Sequence, residues 1–208
     1  MSDQPAGPPE WTRALAPYIV RDDLRVPLKT PIHLLTGRII QDVPAVAVHL
    51  PRWTGEPFAD DFGKKAAGMI ELDGEHLFAE LALLRLMERA GWTGRWVNTQ
   101  GGKGEVWKYL TEWSDVPRAG QRNRVIEDTE PRQLLARVAQ MNRPARYAGC
   151  WDVFAWRGDE FAFLQSRKGT ARPGTLTAQQ EDWLRSALYV GDERLRLPSF
   201  CVVQWDYR

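Results

Sequence analysis

One acid in this 208-residue chain stands where an acid is costly. Asp152 lies within Gly149–Gly169, GCWDVFAWRGDEFAFLQSRKG. That run reads as two strongly apolar strands, Cys150–Trp156 and Glu160–Ser166, joined at Arg157-Gly158-Asp159. Gly and Asp supply the turn, and aromatic residues favour strands on both sides of it. A polar group inside such a unit is expensive to bury unless it is paired or bound to a metal. At the end of the second strand stand Gln165, Arg167 and Lys168, an amide and two cations facing that acid. Carboxylate oxygen for a hard cation, with cations for a phosphate, is the equipment of a metal-dependent phosphodiesterase. The plainer alternative for Asp152 is a salt bridge at the hairpin edge, with Arg146 or Arg157.

Two more side chains belong to the question. Glu80 falls in Leu77–Ala90, a helix of strong helix formers with Asp73 as N-cap and Gly91 as terminator. Wrapped at 3.6 residues per turn, Arg85, Glu88 and Arg89 make a polar stripe, and Leu83, Leu86, Met87 and Ala90 the core-facing arc. Glu80 lies between Leu84 and Met87 on the apolar side, where a carboxylate needs a reason to be. Gln180 closes the run Thr177-Ala178-Gln179-Gln180, a capping box, which already gives it a structural task. The helix that begins there runs to about Val190, with Trp183, Leu184, Ala187 and Leu188 inward, and stops at Gly191.

These groups must be positioned by the rest of the chain. Met1–Glu10, with Pro5, Pro8 and Pro9, reads as a disordered lead-in, and Trp11–Val20 as a short helix broken at Pro17. His33–Leu35, Arg38–Ile40 and Ala45–Leu50 are β-like, Arg52–Lys65 is rich in turn residues and ends on Lys64-Lys65, and Met69–Leu72 is a further short strand. Trp92–Thr99 reads as a strand. Gln100–Thr129 is a long irregular stretch in which Lys103, Lys108, Arg118, Arg122 and Arg124 alternate with Glu105, Glu112 and Asp115, the balance of a solvated loop. Glu130–Asn142 is a helix with Pro131 in its first turn, Thr170–Thr175 a loop bearing Arg172, and Phe200–Trp205 a closing strand. The expected fold class is α/β (α+β), a mixed central sheet flanked by helices. The expected division is a lead-in (1–10), a β-containing N-terminal extension (11–73), and a main domain (74–208) with an insertion at about 100–129.

The order of these pieces resembles a known family. A helix carrying Glu80 is followed by Gly149-x-x-Asp152, then a strand ending Phe-Leu-Gln-Ser-Arg-Lys, then Gln180-x-x-Trp183-Leu184, Gly191 and a Phe-x-Val-Val-x-Trp strand. In that combination Leu77–Trp205 resembles the PD-(D/E)XK nuclease superfamily, and most its VRR-NUC branch, with a restriction-endonuclease-like core. The resemblance implies hydrolysis of DNA phosphodiesters with Mg²⁺ or Mn²⁺. Asp152 would be the main metal ligand, Glu80 and Gln165 further ligands, Arg167 and Lys168 the catalytic cations, and Lys168 and Gln180 substrate contacts. Two positions depart from the pattern. Gln165 stands where the second carboxylate is usual, which keeps an oxygen ligand and removes a charge. Arg167 stands where a lysine is usual; a guanidinium clamps phosphate but stays protonated and cannot act as a base. The alternative that these departures favour is a catalytically impaired module of the same fold that binds nucleic acid or a protein partner.

Composition bounds the remaining possibilities. Lys and Arg number 28 against 27 Asp and Glu, so nucleic-acid binding must come from a local patch. Cys150 and Cys201 lack metal-site spacing and read as buried thiols in a reducing compartment. With no basic-plus-apolar leader and no membrane-length apolar run, the expectation is a cytoplasmic protein without a membrane partner. His33, His49 and His76 stand apart from one another, and Gln100-Gly-Gly-Lys-Gly lacks the spacing of a nucleotide loop.

Overall fold

The computed structural model describes residues 10–60, 69–169 and 175–208. The lead-in up to Pro9, the Lys64-Lys65 pair and most of the loop around Arg172 lie outside the described residues. After short 3₁₀ turns at Glu10–Ala14 and Ala16–Tyr18 come strands β1 (Ile19–His33) and β2 (Ile39–Leu50). The hairpin β3 (Met69–Leu72) and β4 (Glu75–Phe78) leads directly into helix α1 (Ala79–Arg89), then β5 (Thr93–Asn98) and β6 (Lys108–Leu110). Helix α2 (Thr129–Met141), β7 (Val153–Arg157), β8 (Glu160–Lys168), α3 (Ala178–Tyr189) and β9 (Phe200–Tyr207) complete the chain.

Seven of these strands make one mixed sheet in the order β1-β2-β9-β8-β7-β5-β6. The pairs β5/β7 and β7/β8 are antiparallel, β8/β9 and β2/β9 are parallel, and β1/β2 is antiparallel again. A parallel pair needs a crossover, and α3 supplies the one from β8 to β9. The N-terminal strands therefore extend the same sheet that carries the central hairpin.

Side-chain alternation divides the core into two layers. Val153, Ala155, Ala162, Leu164, Cys201, Val203 and Trp205 pack with α1, the β3–β4 hairpin and the N-terminal turns. Phe154, Trp156, Phe161, Phe163, Phe200 and Val202 pack with α2, α3 and β1. Phe163 and Phe200 stack at 5.0 Å, and both are fully buried. Burying a side chain of that size is worth about 1.5–3 kcal/mol, and a one-residue slip would turn a whole strand's set to the wrong layer. The register is thereby held.

Several elements differ from the sequence expectation, among them β6, a strand paired to β5 inside the stretch expected to be irregular. Asp73 caps no helix: with φ of 53° it forms, with Gly74 at 82°, the two-residue turn of the β3–β4 hairpin. An Asp-Gly pair is a hairpin turn in its own right, and α1 starts at Ala79 after an extended Phe78. The stretch from Ile19 to Ile32 is strand rather than helix end and loop. Its period-two set Leu24, Val26, Leu28 is buried beneath polar neighbours. Pro27 and Pro31 are tolerated because β1 is an edge strand with register shifts. Asp152 sits one residue before β7 rather than within the strand.

Candidate functional site

The central hairpin places the first pair of site residues. Arg157 pairs with Glu160 across the Gly158-Asp159 turn, and the ladder runs without a shift to Val153 opposite Leu164. The next position would set Asp152 opposite Gln165, and there the ladder gives way to side-chain bonds. Asp152 still gives its carbonyl oxygen to the N–H of Val97, at 2.8 Å. Its Oδ2 accepts the backbone N–H of Ser166 at 2.9 Å and the side-chain amide of Gln165. A carboxylate that faces an amide can only accept, so Nε2 is the end of Gln165 that meets Asp152. Gln165 is 6 % exposed, and its Oε1 is buried without a hydrogen-bond partner among the described residues.

Glu80 reaches the same end of the sheet from a different layer. Leu84 lies against Gly94, where an added Cβ would come within 2.8 Å of Leu84 Cδ1. A short return through Gly91 sends β5 back along the helix, and Gly94 pairs with Ala155. Glu80 is one helical turn back from Leu84 on the same face, a step of about 6 Å, equal to about two strand residues. That sets it at the level of the Trp96–Val153 pair, Val153 being the residue after Asp152. Glu80 is half-buried. Gln165 pairs with Val202 and so projects into the α2–α3 layer, opposite to the α1 layer from which Glu80 comes. Asp152 meets Gln165 and Ser166 on the β8 side.

Arg167 and Lys168 divide in the same way. The Arg167 guanidinium donates to the carbonyl of Thr175, which ties the end of β8 to the start of the α3 segment. Lys168 pairs with Trp205 and turns into the α1 layer, its Nζ 5.5 Å from the Trp205 ring and 4.8 Å from that of Tyr207. Just before them Ser166 Oγ accepts from the Trp205 indole at 3.0 Å.

Gln180 is occupied as a cap. Its Oε1 accepts the N–H of Thr177 at 2.9 Å, and its own N–H reaches Thr177 Oγ1 at 3.3 Å. The start of α3 is also where the hairpin docks, since Trp151 Nε1 donates to the Gln180 carbonyl at 3.4 Å. Gly149, with φ of 81°, lies so close that a Cβ would stand 2.0 Å from the Gln179 carbonyl oxygen. Gln180 thus positions the hairpin through its backbone.

The insertion is folded around a residue the sequence did not single out. Gln121, 1 % exposed, gives its Nε2 to the carbonyls of Ser114 and Val116 and takes the N–H of Ser114 on Oε1. Trp113 anchors the same loop to the N-terminal segment through the Asp60 carbonyl, at 3.0 Å. Of its cations, Arg118 lies 4.7 Å from the Trp107 ring, and Arg124 contacts Glu112 at 3.5 Å.

Both thiols, Cys150 and Cys201, are buried and unbridged, and burial pushes each well above the ordinary thiol range. They are therefore inert as nucleophiles. Among the described residues no group of three His, Cys, Asp or Glu side chains is placed to hold a metal ion. No helix among them is long and apolar enough to cross a membrane. A surface cleft of about 470 Å³ lies at the opposite end of the hairpin, beside Asp128, Trp156 and Arg157, away from Asp152. Neither a family model, nor a curated protein, nor a solved structure matches the chain.

Proposed function

We propose that the chain is a PD-(D/E)XK-type nuclease-like protein, close to the VRR-NUC branch, that acts on DNA phosphodiesters with a divalent cation at Asp152. The observation that carries this reading is the meeting of Asp152 with Gln165 at the end of a hairpin in the expected chain order. That order is helix, strand, hairpin, helix and a last strand laid parallel to the hairpin's second. The donor set fits a hard cation such as Mg²⁺ or Mn²⁺. Asp152 and Glu80 offer carboxylate oxygen, and Gln165 holds a buried Oε1 with no hydrogen bond to lose. A cation bound there would supply an activated water and neutralise charge on the phosphate. Asp152 would hold it, with the Ser166 N–H fixing the carboxylate's orientation. Lys168, beside the Tyr207 ring at the sheet end, would meet the phosphate, whereas Arg167 secures the α3 segment.

A second reading, a module of this fold that binds nucleic acid or a protein partner without hydrolysis, draws on one observation. Glu80 and Gln165 enter from opposite layers, and the set contains only two carboxylates. Purified protein incubated with Mg²⁺ or Mn²⁺ and single-stranded, duplex or branched DNA separates the two. Cleavage that disappears in Asp152→Asn, together with calorimetric cation binding lost in the same variant, supports hydrolysis. DNA binding with no cleavage of any substrate supports the second reading. Cleavage unchanged in Asp152→Asn overturns the site.

A further inference from the structure

We propose that Arg52, Lys168 and Tyr207 form a subsite for single-stranded nucleic acid on the α1 side of the sheet end. The Tyr207 ring is the centre of the arrangement. Lys168 Nζ stands 4.8 Å from its centroid and Arg52 Cζ 5.3 Å, so two exposed cationic heads share one half-buried ring. Three separate parts of the chain bring them together. Arg52 follows β2 at an isolated bridge to Ile70, Lys168 ends β8, and Tyr207 ends β9. The rim continues on one side to Arg208, 5.4 Å from the Tyr18 ring. On the other it continues to Trp53, which stacks on His76 at 4.8 Å. Tyr18, Trp53 and Tyr207 are the half-buried aromatic fringe of the α1-side core.

Two cationic heads at one ring place positive charge at the sheet end, which suits a polyanion. Cations alone would suit an acidic peptide as well as a nucleic acid. Partly buried aromatic rings interleaved with the cations favour the nucleic acid, because bases stack on rings while phosphates follow the charges. A single strand is favoured over a duplex because only unpaired bases offer their faces. The chain as a whole carries a formal charge of +1, so this local grouping, and not overall basicity, would draw the strand. The choice of substrate rests on the nuclease-like reading. The binding itself is measured apart from it.

The test is fluorescence anisotropy with a labelled oligothymidine, in EDTA so that no hydrolysis intervenes, using the full chain. Wild type binds at low salt. The combined Arg52→Gln and Lys168→Gln variant binds at least about ten-fold more weakly, and its log–log salt slope falls by about 0.7 for each cation removed. Tyr207→Leu weakens binding while leaving the salt slope near that of wild type. Equal melting temperatures for the double variant and wild type exclude a folding defect. The proposal is overturned if wild type does not bind, if the double variant binds as wild type does, or if poly-glutamate competes as well as the oligothymidine. The last result would mark an acidic protein partner. Loss of cleavage in Asp152→Asn with full binding in the double variant would remove the subsite and leave the nuclease reading standing.

Discussion

Gln165 donates its side-chain amide to Asp152 Oδ2, the same oxygen that accepts the Ser166 N–H, at the first position beyond the β7–β8 ladder. The carboxylate thus does the work of a missing strand residue, pairing a backbone donor that β7 no longer reaches. It also holds a buried amide whose oxygen has no hydrogen-bond partner among the described residues. A structural role and the proposed ligand role meet in one side chain, and they respond differently to substitution.

Replacing Gln165 by Glu exposes the difference. The donor becomes a second carboxylate against the first, so a hydrogen bond worth about 1–3 kcal/mol at a charged group is exchanged for repulsion. In EDTA the Gln165→Glu variant melts below wild type by about 2–4 °C for each kcal/mol lost. Added Mg²⁺ or Mn²⁺ closes the gap, because a cation between the two acids neutralises them. Thermal melts with and without the ion check this. A variant whose midpoint ignores the ion would show that the pair shares no cation site.

The docking of the hairpin on α3 is tested by two glycines with similar backbones and different surroundings. Gly149 has φ of 81°, and a Cβ there would stand 2.0 Å from the Gln179 carbonyl oxygen. Gly158 has φ of 54°, with nothing within 4 Å of the added atom. Gly158→Ala meets only the left-handed backbone cost, about 1–2 kcal/mol. Gly149→Ala adds a clash with backbone that cannot rotate away, and loses at least about 3 kcal/mol. Urea unfolding of the pair gives both values, and equal losses would refute the close approach.

Much of this arrangement was legible in the sequence, and the reasons are local. The two-residue turn at Gly158-Asp159 sets a constant register, so Asp152 opposite Gln165 follows from counting along two apolar strands. The Thr177–Gln180 cap is written in four consecutive residues, and the structure forms both of its bonds. What escaped is non-local. Arg52 reaches Tyr207 only because β2 and β8 both lie parallel to β9, a pairing with no sequence signal. Asp73-Gly74 did carry its own signal, but the strong helix formers after it drew the acid into a capping role. Strand β1 was hidden by charges and prolines, which an edge strand can carry and a central one cannot. The layer from which Glu80 enters was equally unreadable, since helical periodicity names a face without naming the side of the sheet it covers.

The cap of α3 makes a third prediction. Thr177 and Gln180 satisfy each other's backbone donors, so each bond holds the geometry that the other needs. Thr177→Ala costs about 1 kcal/mol, the usual loss for an N-cap hydroxyl. Gln180→Ala costs a similar or smaller amount, and the double variant loses less than the two single losses together. A double-mutant cycle in urea measures the coupling. If Gln180→Ala leaves stability untouched yet weakens oligothymidine binding, its side chain serves the substrate and not the helix.

Asp192, just past α3, ties that helix to α2 and gives the chain a predictable acid response. Its carboxylate accepts Arg194 Nε and Nη2, both at 2.9 Å, the Arg194 N–H at 3.1 Å, and Arg137 Nη2 from α2 at 2.5 Å. The Arg194 side chain, first among these, holds the carboxyl well below the usual carboxylate range. A depressed folded pKa means that the unfolded chain takes up the proton first. The stabilisation is therefore fully present above the unfolded value, about 3.9, and is lost as pH falls through the folded one. Both guanidiniums are partly solvated, 48 % and 29 % exposed, which limits the contribution to about 1–2 kcal/mol. Asp192→Asn should lose that amount at neutral pH, and the gap to wild type should close below about pH 4. Urea unfolding of both proteins across that range reads the difference directly. A gap that stays constant into acid would mean that the carboxylate's charge contributes nothing and that only its shape is used.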